Sequence, residues 1–117
     1  MPGSRIKPLH VNRGERIAAR HYRLRGYRIL GSNVRVGGGE LDLIVRRGAR
    51  LVFVEVKERA RDTFGGPVAA VDGRKLRRVR RAAEAWLHAH PQSAPDVAFE
   101  VVAITGRRLE RLQVDPE

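Results

Sequence analysis

The chain has 117 residues, enough for one domain built around a single hydrophobic core. It contains no cysteine, which excludes a disulfide framework and a thiolate zinc site, and we expect a reducing cytoplasm as its location. It has no apolar run long enough to span a bilayer and no signal-peptide pattern at its N-terminus.

The charge balance is strongly basic, with 24 basic against 13 acidic residues and a net charge of +11. Such a balance is typical of proteins that bind a polyanion such as nucleic acid. Nearly all of the basic residues are arginine, a bias that GC-rich coding also produces. Membrane surfaces and acidic proteins therefore stay open as alternative partners.

The first third of the chain predicts a helix and then a strand. Residues 1–10 are expected to form a flexible basic arm, and residues 11–117 a single folded domain. The stretch VNRGERIAARHYRLRG has helical spacing and a glycine stop at Gly26. YRILGSNVRV is typical of a strand with an irregular end, in which Tyr27, Ile29 and Val34 would share a face before a glycine loop.

The rest of the chain predicts two strands, a helix and two further strands. LDLIV and LVFVEV would form a hairpin around Gly48-Ala49, and a loop of turn-forming residues follows them. Asp72 is a candidate N-cap for a helix that runs to about His88. The apolar stripe of this helix would comprise Leu76, Val79, Ala83, Trp86 and Leu87. VAFEVVAIT and RRLERLQV complete a mixed sheet of about five strands flanked by helices, an α/β fold.

The hairpin carries acids inside otherwise apolar strands. Alternation of side chains would place Glu40, Asp42 and Ile44 on one face of the first strand, and the same face of the second strand would carry Phe53, Glu55 and Lys57. The Gly48-Ala49 turn sets Asp42 opposite Glu55, and Glu40 opposite Lys57.

Two facing carboxylates need a positive charge between them. At a separation of about 4 Å they repel by roughly 4 kcal/mol at an effective dielectric constant near 20. Carboxylate oxygens without histidine or cysteine nearby are the ligands of a hard cation such as Mg²⁺ or Mn²⁺. The alternative is a cross-strand ion pair between Glu40 and Lys57, with solvent-facing acids beside it.

The order of these motifs resembles a known family. Leu41-Asp42, separated by twelve residues from Glu55-Val56-Lys57, is similar to the PD-(D/E)xK signature of restriction-endonuclease-like nucleases. R-G-E-x-x-A at 13–18, N-x-R at 33–35, G-E-L-D-L-I at 39–44, V-F-V-E-V-K-x-R at 52–59, F-G at 64–65 and Lys75 resemble the YraN family of small bacterial proteins. Archaeal Holliday-junction resolvases are similar in size and motif spacing.

The resemblance implies a metal-dependent nuclease of the restriction-endonuclease-like fold that acts on DNA, branched or otherwise structured forms included. Asp42 and Glu55 would ligate Mg²⁺ or Mn²⁺ together with the main-chain carbonyl of Val56, and Lys57 would orient the attacking water. A nucleic-acid-binding module that keeps the fold without turnover is the alternative, and a basic partner-binding protein is a third hypothesis. Symmetric cutting of both strands would require a homodimer.

Glu15 and Glu40 are further candidates. Glu15 heads an apolar helix face, which together with the resemblance favours a catalytic or metal-site role, whereas Asn12-x-x-Glu15 is also a capping box. Glu40 would support the site as a ligand, pair with Lys57 or simply end the glycine loop.

Basic residues near the motif are candidates for contact with the nucleic-acid backbone, although a charged helix face is often only solvated. They are Arg59, Arg74, Lys75, Arg78 and Arg81. One departure from the family pattern is Ala98-Phe99-Glu100, where we expect an arginine-phenylalanine-aspartate run.

Overall fold

The computed structural model describes residues 12–60, 66, 70–91 and 96–116. In these ranges the elements are α1 Arg13–Leu24, β1 Arg28–Val36, β2 Gly39–Arg47, β3 Arg50–Arg59, α2 Gly73–Ala89, β4 Asp96–Thr105 and β5 Arg108–Val114. The predicted order of elements and the α/β class are confirmed. The predicted N-terminal arm and the Phe64-Gly65 motif lie outside the described residues.

The strands form one mixed sheet in sequence order, β1-β2-β3-β4-β5. The first three strands are an antiparallel meander, and β4 pairs antiparallel with β5. Between them β3 and β4 run parallel. A parallel pair requires a crossover connection, and α2 lies in that connection.

The two helices begin as the sequence predicts. The side chain of Asn12 accepts a hydrogen bond of 2.8 Å from the backbone N–H of Glu15. The Asp72 carboxylate accepts from the N–H groups of Arg74 and Lys75. Each contact satisfies donors that the first helical turn leaves unpaired. Neither described helix is long and apolar enough to cross a membrane.

The helices cover opposite faces of the sheet. Alternate β3 residues Val52 and Val54 pack in one buried cluster with Tyr22 of α1. Their neighbours Leu51 and Phe53 pack in a second cluster with α2. We call these the α1 cluster and the α2 cluster. The predicted stripe of α2 points into the sheet, with Leu76, Val79, Ala83 and Trp86 buried and Leu87 partly buried.

The face assignment of β1 differs from the prediction. Tyr27 and Ile29 belong to the α1 cluster, as expected, but Val34 packs against the α2 cluster. The ladder between β1 and β2 shifts register between Ile29 and Gly31, and the side chains change face a second time between the pairs Ser32↔Leu43 and Val34↔Leu41. The second change cancels the first, so Val34 stays on the face opposite Tyr27. The prediction that Val34 shares a face with Tyr27 was therefore wrong.

Candidate metal centre

The β2–β3 hairpin has the predicted register. Gly48 has φ +59°, the left-handed conformation that a tight turn needs at this position, and Arg47 pairs with Arg50 across the turn. The ladder continues to the pair Leu43↔Val54. The next residues along the two strands are the two predicted acids, which therefore meet where the regular pairing stops.

At this point the side chain of Asp42 replaces the backbone hydrogen bonds between the two strands. Its Oδ2 atom accepts a hydrogen bond of 2.9 Å from the backbone N–H of Val56. In an extended strand the N–H and C=O of one residue point to the same side, so the Val56 carbonyl faces the same gap between the strands. The gap thus offers the second oxygen of Asp42 and a main-chain carbonyl.

Glu55 is buried in the gap with only one of its carboxylate oxygens hydrogen-bonded. The residue is 6% exposed, and its Oε2 atom lies 2.5 Å from the ammonium of Lys75 on α2. Among the described residues its Oε1 atom has no hydrogen-bond partner. Burial, followed by the charge of Asp42, raises the pKa of Glu55 to about 7, although Lys75 acts in the opposite direction. An unpaired buried acceptor costs about 1–3 kcal/mol, so this oxygen is poised to receive a cation or a donor.

Lys57 lies beside the buried acid on the same strand face. Glu55, Lys57, Asp72 and Lys75 line a cavity of about 40 Å³, which is sufficient for a water molecule. The Lys57 side chain is exposed, and within the described ranges it forms no ion pair with Glu40. Glu40 is instead opposite Arg35 in the β1–β2 ladder. The alternative of a Glu40–Lys57 ion pair is therefore wrong.

The predicted common face of Glu40, Asp42 and Ile44 is also wrong. Leu41 and Ile44 both pack in the α2 cluster, whereas Leu43 packs in the α1 cluster. Strict alternation would place Leu41 with Leu43. The strand therefore changes face at Asp42, which separates Glu40 from the face that Glu55 occupies.

Glu15 approaches the site from α1. Its carboxylate is buried and accepts a hydrogen bond of 2.8 Å from the side-chain amide of Asn33 on β1. Burial raises the pKa of Glu15, as do the charges of Asp42 and Glu40, while the Asn33 amide and the backbone N–H of Asn12 lower it. The capping contact and the proximity to the acids of the hairpin thus coexist.

The metal-ligand set that the hairpin offers is small. Over the described part of the chain, no three side chains of the histidine, cysteine, aspartate or glutamate type converge into one group suited to a metal ion. Asp42, Glu55 and the carbonyl of Val56, the predicted ligands, are what lies together. Any cation there would need water or a substrate oxygen to complete its coordination.

The basic side chains divide into two groups. Arg74, Arg78 and Arg81 are exposed on α2, and the backbone carbonyls of Arg78 and Arg81 lie against the β1–β2 turn, next to Gly39 and Gly37. This side of the helix therefore borders the hairpin that carries Asp42. We call Arg74, Arg78 and Arg81 the basic edge of α2.

The other two predicted contact residues are engaged within the fold. Arg59 donates a hydrogen bond of 2.9 Å to the carbonyl of Gly66, and Lys75 pairs with Glu55. The Lys75 contact was not predicted, because it depends on how α2 packs on the sheet. The ammonium of Lys75 therefore acts within the fold, where it offsets the negative charge of Glu55.

Glu100, the acid in the departure from the family pattern, is the centre of a buried network. It is 4% exposed and accepts from Tyr22 Oη at 2.5 Å, from Arg111 at 3.0 Å through both oxygens, and from Arg50 at 3.3 Å. Burial opposes ionisation, but the hydrogen bonds from Arg111 and Tyr22 lower the pKa of Glu100 overall. Glu100 therefore fastens α1 to β4 and β5 as a structural anion.

Comparison with known proteins gives one consistent family. The model of "Uncharacterised protein family UPF0102" matches residues 14–104. A UPF0102 protein of Frankia alni is 48% identical over 92 residues, which cover 79% of this chain and 77% of the relative. Similar proteins from Serratia proteamaculans (45% over 103 residues; 86% and 88% covered) and Methylorubrum extorquens (44% over 114 residues; 94% and 87% covered) carry the same family name.

Proposed function

The chain belongs to the UPF0102 family, which is the YraN family, and we propose that it is a divalent-metal-dependent nuclease that hydrolyses phosphodiester bonds of DNA. The observation that carries the proposal is the buried Oε1 atom of Glu55, which lacks a hydrogen-bond partner among the described residues. The Glu55 carboxyl group lies close enough to Asp42, where β2 and β3 part, for the charge of Asp42 to raise its pKa. A structural acid pair would be expected to have its buried oxygens satisfied.

Three groups would hold the cation, Mg²⁺ or Mn²⁺. They are the second oxygen of Asp42, Oε1 of Glu55 and the carbonyl of Val56, because Val56 N–H and Lys75 already occupy the other carboxylate oxygens. An all-oxygen set suits these hard ions. When bound, the ion would offset the charge that develops on the phosphate during hydrolysis.

The lysines act on either side of Glu55. Lys57 lines the water-sized cavity and is exposed, so its ammonium can orient the attacking water and stabilise its hydroxide form. Lys75 pairs with the other oxygen of Glu55 and offsets part of the negative charge of the site. Attack would be in line with the leaving oxygen of the phosphodiester.

The basic edge of α2 would contact the substrate. Arg74 and Arg81 lie seven residues apart, a span of about 10 Å at 1.5 Å per residue, which equals the rise of about three nucleotides along a duplex axis at 3.4 Å each. Contacts of this kind position a substrate without reading its sequence. We expect a cytoplasmic location, and a homodimer only where both strands of a duplex are cut.

A cleavage assay tests the proposal. Linear, single-stranded, flapped and four-way-junction DNA, and RNA, would be incubated with the protein in Mg²⁺ or Mn²⁺. We expect Asp42→Asn and Lys57→Ala to reduce cleavage by at least about 100-fold, since each removes a group acting directly at the reacting phosphate. Glu84→Gln, on the solvent side of α2, is the matched control and should cleave like the wild type. Equal cleavage by all four proteins would indicate a contaminating nuclease and refute the mechanism.

A nucleic-acid-binding module without turnover is the second candidate. The Lys75 ammonium on Glu55 favours it, because a lysine can take the place of a cation in a site that has lost activity. Binding of DNA without cleavage of any substrate, together with no Mn²⁺ binding by the wild type, would support the module. Binding that weakens steeply with salt and in Arg78→Ala would still assign the nucleic-acid contact to the basic edge.

A further inference from the structure

Asn33 lies where the side chains of β1 change from one face of the sheet to the other. The pair Ser32↔Leu43 places Leu43 in the α1 cluster, whereas the next pair, Val34↔Leu41, places its side chains in the α2 cluster. Asn33 lies between these two pairs and has φ +53°. It is the only non-glycine residue with positive φ in the described part of the chain. Asparagine adopts this conformation more readily than most residues, at a modest cost in strain.

This change of face directs the Asn33 side chain towards α1. Its Nδ2 atom donates the 2.8 Å hydrogen bond to Oε1 of Glu15. On β2 the residue between the same two pairs is Asp42, so Asn33 lies across the ladder from a proposed metal ligand. One irregularity in the sheet therefore places Asn33 between a helix acid and a hairpin acid.

We propose that Asn33 is a positioning residue of the metal site, whose amide fixes the buried Glu15 carboxylate beside Asp42. This inference rests on the proposed function. Glu15 does not join a three-acid ligand group among the described residues, so it acts by accepting hydrogen bonds from water bound at the site. Without the amide, Glu15 lies beside two like charges, Asp42 and Glu40, with one fewer donor to hold it.

Asn33→Gly isolates the amide, because glycine keeps the positive φ and removes only the side chain. Ser32→Gly is the matched control, since it adds the same backbone freedom to the neighbouring exposed position. Mn²⁺ affinity would be measured by titration calorimetry, stability by thermal melting, and cleavage by kcat and KM. We expect Asn33→Gly to bind Mn²⁺ about 10- to 100-fold more weakly than Ser32→Gly, with a similar melting temperature and an unchanged KM for DNA.

A double-mutant cycle tests the route through Glu15. Glu15→Gln should weaken Mn²⁺ binding to a similar extent, and the double variant Asn33→Gly/Glu15→Gln should be no weaker than the weaker single variant. Additive losses, or equal Mn²⁺ affinity in Asn33→Gly and Ser32→Gly, would overturn the role of Asn33. If Asp42→Asn abolishes Mn²⁺ binding in the same series, the proposed metal site is supported even where Asn33 has no role in it. A wild type that binds no Mn²⁺ overturns both proposals.

Discussion

Replacing Arg111 by methionine should expose how strongly the Glu100 network stabilises the fold. Arg111 contributes two of the four hydrogen bonds on the Glu100 carboxylate, and its guanidinium stacks 4.8 Å from the centre of the Tyr22 ring. Methionine keeps much of the aliphatic volume and removes the charge. The change therefore leaves a buried anion with only the contacts from Tyr22 and Arg50.

The expected loss is about 3 kcal/mol in the free energy of unfolding. Removing one partner of a buried ion pair costs about 3–5 kcal/mol. The two remaining donors reduce that cost, while loss of the cation–π contact adds about 1 kcal/mol. The double variant Glu100→Gln/Arg111→Met removes the stranded charge as well, and it should regain about 2 kcal/mol relative to the single variant.

Urea unfolding at pH 7, followed by circular dichroism, measures both differences. Single transitions with equal slopes would show that the variants share one native state. A loss below about 1 kcal/mol in Arg111→Met would mean that Glu100 is not held as a buried anion. A double variant no more stable than the single one would refute the same reasoning, because the cost would then arise from packing and not from charge.

Three further predictions concern pH, the site and the β1–β2 turn. The pKa of Glu100 is lowered in the folded state, so its carboxylate stabilises the fold above the unfolded pKa near 4.5, and this stabilisation is lost as the pH falls through the folded pKa. The difference in unfolding free energy between wild type and Glu100→Gln, measured by urea unfolding, should therefore shrink below pH 4.5. A constant difference would contradict this. Lys75→Met should lower the free energy of unfolding by about 1 kcal/mol without metal, since the lysine side chain is 50% exposed. Mn²⁺ should raise the melting temperature of this variant more than that of the wild type, and equal increases would argue against a cation at Glu55. Gly37→Ala should lower the melting temperature, because Gly37 has φ +61° and a Cβ there would lie 2.8 Å from Cβ of Ala85. Gly48→Ala is the control, since Gly48 has a similar φ and a Cβ there would meet nothing within 4 Å. An equal loss in both variants would attribute the effect to φ alone.

Local sequence signals were sufficient for the elements and for the hairpin. The caps at Asn12 and Asp72, the helical stripe of α2 and the Gly48 turn depend on contacts within a few residues. The register that brings Asp42 and Glu55 together follows from turn position alone. These features are correct because nothing distant competes with them.

Features that depend on packing between distant elements were not predicted. Strict alternation misplaced Glu40, because β2 changes face at Asp42. The single irregularity expected in β1 misplaced Val34, because a second change of face at Asn33 cancels the first. The one available signal was an asparagine, a poor strand former, in the middle of a predicted strand. The Lys75–Glu55 pair joins positions 20 residues apart through the docking of α2, which alternation within a strand cannot reveal.

The sequential strand order has a consequence for the folding route. The β1-β2-β3 meander requires only short loop closures, whereas the parallel β3–β4 pair must wait for the crossover through α2. Asp42 and Glu55 can therefore come together before Lys75 arrives with the helix. At that stage two like charges would face each other unneutralised, so a divalent cation in the refolding buffer should accelerate formation of the meander.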